Sequence, residues 1–223
     1  MVLVKVNVLD SETKEPIDDA VVTLDGQMKT TKHGIATFPL DPVGKISEEL
    51  DKITGLMKEE EDKAKKEKEK QYGVIASGLK KVDEFRKSNV MAMHKIPKEQ
   101  KPVAEKFLGE LKKSYMAMGD VYGIQAKAAE RVYRAAKERV KREVEASKKL
   151  IEDYYKAAPV AMKESAKAAR DSAMSIADKV VNYTERVWNE VWRYTKQGWS
   201  SIADYLKSGL NQVGRFFKKL FGG

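Results

Sequence analysis

The sequence predicts an α+β protein: a small N-terminal β-sandwich-like sheet followed by long amphipathic α-helices packed as a three-helix bundle or coiled coil. Three observations carry that expectation. Apolar and polar residues alternate in the first 40 positions, and apolar residues recur at helical spacing from Ile46 to Phe221. Half of the six Pro and fourteen Gly fall in the first 45 residues or the last 15, which leaves a long interior with few helix breakers. The division that follows is 1–44 for a β-rich head and 45–223 for the helices, with a cationic, aromatic segment from about 180 to 223.

In the head, Val2, Val4, Val6 and Val8 alternate with Leu3, Lys5 and Asn7, the period of a strand. A polar link from Asp10 to Asp19 contains Pro16. A second β-branched run, Ala20 to Leu24, closes on Asp25-Gly26, a hairpin signal, and Gln27 to Thr31 continues the hairpin. His33-Gly34 turns the chain into a fourth strand, Ile35 to Phe38.

These residues carry a resemblance. Val4-x-Val6-x-Val8-x-Asp10, Thr13-x-Glu15-Pro16-Ile17-x-x-Ala20-x-Val22-x-Leu24, then Thr30, Gly34, Ala36 and Phe38, resemble the carboxypeptidase-regulatory-like family of transthyretin-like or Ig-like β-sandwiches. The resemblance covers about the first 44 residues and implies an adhesive or spacer module, truncated here: after Leu40-Asp41-Pro42-Val43-Gly44 a helix begins where the family continues with a strand. Ser47 is the expected N-cap, with Glu48 and Glu49 in the first turn. Four strands close a sandwich poorly, so the head is expected to lay its open face on a helix or a neighbouring chain. An alternative returns Tyr72 to Ala76 to the sheet as the missing strand.

The first helix carries apolar residues at 46, 50, 53, 57, 64, 72, 75, 79, 82 and 85, and keeps phase through the charged stretch Lys58 to Lys70; Gly73 and Gly78 are candidate kinks. Pro97 and Pro102 break the chain. The second helix presents one stripe from Val103 through Phe107, Leu111, Tyr115, Tyr122, Val132, Val140 and Ile151, opposite a face of Lys, Arg and Glu, and Pro159 ends it. The third runs from an Ala-rich start, Ala161 to Ala177, through Val180, Val191, Ile202 and Val213 to Leu220. Helices of roughly 50 to 60 residues must bury such stripes against each other, other subunits or lipid.

The absence of Cys excludes disulfides and thiolate chemistry, and His33 and His94 read as isolated surface or turn residues. No nucleotide-binding glycine loop, HExxH or Ser-His-Asp pattern occurs, so no catalytic residue, cofactor, metal or small-molecule substrate is expected. The start lacks the form of a cleavable signal peptide, and no window is apolar enough to span a bilayer. Abundant Lys and Glu with few Asn and Gln suggest a thermophilic source. Residues 1–44 carry four Lys against seven acids, a net −3, so of the chain's +9 the remainder carries +12, and an anionic partner would meet the helices.

Trp188, Trp192 and Trp199 fall within twelve residues, and after them come Leu206, Leu210, Phe216, Phe217, Lys218, Lys219, Leu220 and Phe221, with no acid beyond Asp204. Aromatics with cations suit either a membrane interface or a protein contact. The leading expectation is a non-enzymatic structural protein, such as a virion component, surface filament subunit or scaffold, that self-associates into a homo-oligomer or larger assembly through its helices. A peripheral protein on an anionic membrane is the alternative. Nucleic-acid packaging is a third, since Arg131, Arg134, Arg139 and Arg142 are diluted by Glu130, Glu138, Glu143 and Glu145.

Overall fold

A computed structural model describes residues 2–24 and 26–222. Four strands precede three long helices: β1 Val2–Asn7, β2 Val21–Leu24, β3 Gln27–Thr30, β4 Ile35–Leu40, α1 Pro42–His94, α2 Lys101–Ala157 and α3 Lys163–Phe221. The fold is α+β, a small antiparallel β region followed by three helices. Among the described residues no helix is long and apolar enough to cross a membrane.

The strands pair in two antiparallel ladders, β1 with β4 and β2 with β3. Valines 4 and 6 stand opposite Phe38 and Ala36, and β4 alternates strictly, burying Ala36, Phe38 and Leu40. The β2–β3 turn carries Gly26 at φ +72°, the left-handed conformation the hairpin signal required; Asp25 lies outside the described residues. Asp10 organises the polar link, its carboxylate accepting from the backbone N–H of Glu12 and Thr13 at 2.9 and 2.8 Å, which holds its pKa below the usual carboxylate value. Buried Thr31 ties the link to β3, donating to the Ile17 carbonyl at 2.7 Å and accepting from the Ala20 N–H at 3.0 Å.

Two expectations at the head boundary need correction. The first helix starts at Pro42, five residues before Ser47: Asp41 accepts from the Gly44 N–H at 3.1 Å as N-cap, and proline is pre-set for the first helical position. Tyr72 to Ala76 lie inside α1 and complete no sheet, and α1 runs unbroken through Gly73 and Gly78. Chain reversals use Pro97 and Pro159, both extended, each followed by one 3-10 turn.

The chain divides into two compact units, Met1–Leu56 with Lys141–Val181, and Met57–Val140 with Asn182–Gly223. The first holds the head and a helix core of small and aliphatic residues: Ile46, Ile53, Val144, Ile151, Ala166, Ala173, Ala177 and Val180. Alanine at 166, 173 and 177 lets α3 approach its neighbours closely. The Lys45 ammonium lies 5.2 Å from the Tyr154 ring centre, and Lys148 binds Asp178 at 2.6 Å, joining α1 to α2 and α2 to α3.

The second unit packs larger groups. Ile75, Val82, Tyr115, Trp199, Ile202 and Leu206 form one buried cluster, and Met93, Ala104, Leu111, Val213, Phe217 and Phe221 another. Gly78 permits the first, since a Cβ there would stand 2.9 Å from Ile202 Cδ1 and 3.2 Å from the Tyr122 ring. The stripe read from sequence drifts in two places. Tyr72 is exposed and Gln71 takes the buried position, while on α2 Val132 faces outward and Tyr133 packs inward. A straight helix turns 3.6 residues at a time, so a seam counted in threes and fours slips by one over several turns.

Candidate functional site

The second unit carries the features that a helix core does not require. On the outward face of α2, Ala117, Val121, Ile124, Ala128, Val132 and Ala135 are all exposed, at successive spacings of four, three, four, four and three residues. That is the repeat of a helix-packing seam, set beside the stripe that faces the core. Val121 is 53% and Ile124 68% exposed. Sequence reasoning assigned α2 one apolar stripe with a charged opposite face; the second seam was present in the spacing and hidden by allowing each helix a single stripe.

The seam borders a furrow between α1 and α2. One stretch, of about 580 Å³, is lined by Gly73, Val74, Gly78, Ala117, Val121 and Tyr122. A second, of about 480 Å³, runs past Lys66, Lys70, Val132, Ala135 and Arg139 to Trp188. Nothing lies within 4 Å of where a Cβ would sit on Gly73, so the furrow floor is open there. Between α2 and α3 a smaller groove of about 300 Å³ is lined by Gly119, Gly123, Trp192 and Trp199.

Beneath the second stretch is a buried charge. Glu60 is 1% exposed; its Oε2 accepts from the Trp188 indole N–H at 2.9 Å, and its Oε1 binds the Arg139 guanidinium and, at 3.3 Å, Lys63. Three donors on one carboxylate explain how it survives burial. Neighbouring Glu59 is bonded by Lys63 and Arg139, which together hold its carboxyl below the ordinary value, and the same bond raises Lys63. Lys137 is raised by Glu185 and Tyr133.

The C-terminal residues singled out from sequence separate into two groups. Trp188 is buried with Ala64 and Val191, Trp199 and Leu206 belong to the Ile202 cluster, and Leu210 packs half-buried against it. Trp192 is half-buried, its ring stacked on Tyr133 at 5.8 Å. Farther along α3, Phe217 and Phe221 are buried with Met93 and Leu111, Phe216 and Leu220 are half-buried against that cluster, and Lys218 and Lys219 are exposed. The indoles thus serve the interior of the unit, with Trp192 reaching the α2–α3 groove. Among the described residues no group of His, Cys, Asp and Glu is arranged to hold a metal ion.

No family model matches the chain, and no curated protein matches it. Among solved structures, a computationally designed three-helix bundle matches 80% of this chain and 87% of its own, at 14% identity and a TM-score of 0.42.

Proposed function

We propose that this is a non-enzymatic assembly protein that joins a second copy of itself through the α1–α2 face of its second unit. The observation that carries the reading is the exposed seam Ala117-Val121-Ile124-Ala128-Val132-Ala135 bordering an open furrow. Alanines and branched residues share it, so an identical helix laid antiparallel about a two-fold axis at its centre sets Ile124 against the partner's Ala128 and Val121 against the partner's Val132. A solvated helix has no use for six apolar positions in register. In such an assembly the head, which resembles a truncated carboxypeptidase-regulatory-like domain, would serve as the contact module, and a virion component, filament subunit or scaffold fits that architecture.

Sedimentation equilibrium tests this. The wild-type chain is expected to be dimeric or larger at high micromolar concentration. Val121→Glu with Ile124→Glu, both at exposed positions, is expected to be monomeric with unchanged helicity. A wild type that stays monomeric, or a double variant that associates as before, overturns the reading.

A further inference from the structure

Beyond self-association, we infer that the end of the second unit formed by residues 85–119 and 205–222 is a docking surface for an anionic lipid bilayer. These are the last turns of α1, the reversal at Pro97, the first turns of α2 and the last turns of α3, and they share the buried cluster of Met93, Leu111, Val213 and Phe217.

Charge is the first argument. These two stretches hold twelve Lys and Arg against three acids, Glu99, Glu105 and Glu110. The whole chain has 43 Lys and Arg against 34 Asp and Glu, so the rest balances at 31 of each, and Asp83, just outside these stretches, pairs with Arg86 and Lys87. Most of these cations, Lys95, Lys98, Lys218 and Lys219 among them, have no ion-pair partner among the described residues. Elsewhere on the helices cations are nearly balanced in number by carboxylates, and some are paired, as Lys63, Lys137 and Lys148 are.

Apolar exposure at the same end is the second argument, and it selects among anionic partners. Met91 is 64% and Val103 52% exposed, while Ile96, Phe216 and Leu220 are half-buried against the Met93–Phe217 cluster, with His94 against the Phe216 ring at 4.3 Å. A nucleic-acid backbone satisfies lysines and gains nothing from Met91 or Val103. A bilayer interface takes both, headgroup phosphates for the ammonium groups and the acyl boundary for the apolar tips. Since no helix among the described residues is long and apolar enough to span, the proposed contact is peripheral.

Liposome flotation of the full chain tests the assignment. It is expected to float with vesicles of phosphatidylcholine and phosphatidylglycerol, and not with phosphatidylcholine alone. The variant K95E/K98E/K218E/K219E should lose affinity about tenfold or more. A control with the same charge change at exposed sites elsewhere, K65E/K149E/K167E/K179E, should lose far less. Met91→Ser with Val103→Ser, which leaves charge untouched, should also weaken flotation. Circular dichroism checks that each variant keeps its helices. Equal binding to neutral vesicles, equal loss in the control, or an excess of duplex DNA that strips the protein from lipid would each overturn it.

Discussion

The two units are built from the same three helices and pack them differently. In the first, alanines and β-branched residues make a core whose buried polar groups are Thr31, Glu49 and Ser147. In the second, Trp188 bonds the buried carboxylate of Glu60, and Gln71, Asn89, Thr184 and Thr195 are buried as well. A helix core needs only volume and close contact. Polar groups in it cost desolvation unless each is bonded, and here they accompany open grooves and an outward apolar seam. The difference teaches that the two units hold the same helices by different means, small side chains in the first and large ones in the second, and that the second also carries surfaces a solitary bundle would not need.

The sharpest way to break that comparison is Glu60→Ala. It would leave the buried Trp188 indole N–H without its acceptor and take one of two carboxylates from the partly exposed Arg139, which keeps Glu59; an unsatisfied buried donor typically costs about 1–3 kcal/mol. Glu49→Ala in the first unit should cost much less, because its partner Lys52 is exposed to water and keeps its solvation. Urea denaturation of both variants measures it. Equal losses would mean that Glu60 is no more than another helix-surface ion pair.

A comparable effect, with opposite signs at two glycines of α1, sharpens the packing side. Gly78→Ala puts a methyl against Ile202 and Tyr122, and overpacking of that kind costs about 1–3 kcal/mol. Gly73→Ala meets open space five residues earlier and should stabilise α1 by up to about 1 kcal/mol through helix propensity. Thermal melts decide between the signs. A stabilised Gly78→Ala would show that α1 and α3 are not in close contact at Ile202.

Much of the fold was legible because its signals are local. The β alternation of Val4 and Val6, the Asp25-Gly26 turn, the proline reversals and the helical recurrence of Val82, Val140 and Ile202 each follow from neighbours within a few residues. What was not legible depends on partners distant in sequence. Nothing near Glu60 says that Trp188 and Arg139 will meet it, and nothing near Gln71 says that it displaces Tyr72 from the core. The start of α1 was misplaced for a different reason: Asp41-Pro42 and Ser47-Glu48 are both sound capping signals, and the choice was settled by where β4 ends, at Leu40. The α2 seam at Val121 and Ile124 was present in the spacing but lies on the side of α2 read as charged, and the concentration of charge at the far end of the second unit needed the helices' directions before residues 85–119 and 205–222 could be added together.

Acid gives the mildest test and again sets the units apart. Glu59, Asp83 and Glu190, all in the second unit, are held below ordinary carboxylate values mainly by hydrogen bonds from Lys63, Lys87 and Lys68. A carboxylate depressed in the folded state contributes stability that is complete above its unfolded value, near 4.5 for Glu and 3.8 for Asp, and that is lost as pH falls through the folded value. These groups are exposed and their individual effects small, yet they act on one unit. In the helices of the first unit the groups shifted are Lys52, Lys148 and Arg170, all raised, and their contribution stays complete far into acid because it fades only as pH climbs through the raised values. Tryptophan fluorescence reports the second unit alone, since Trp188, Trp192 and Trp199 all lie there, whereas far-ultraviolet circular dichroism reports every helix. As pH is lowered from 6 toward 3, the fluorescence midpoint in urea should fall ahead of the dichroism midpoint. Transitions that stay superimposed throughout would show that the two units melt as one and that their ion pairs do not distinguish them.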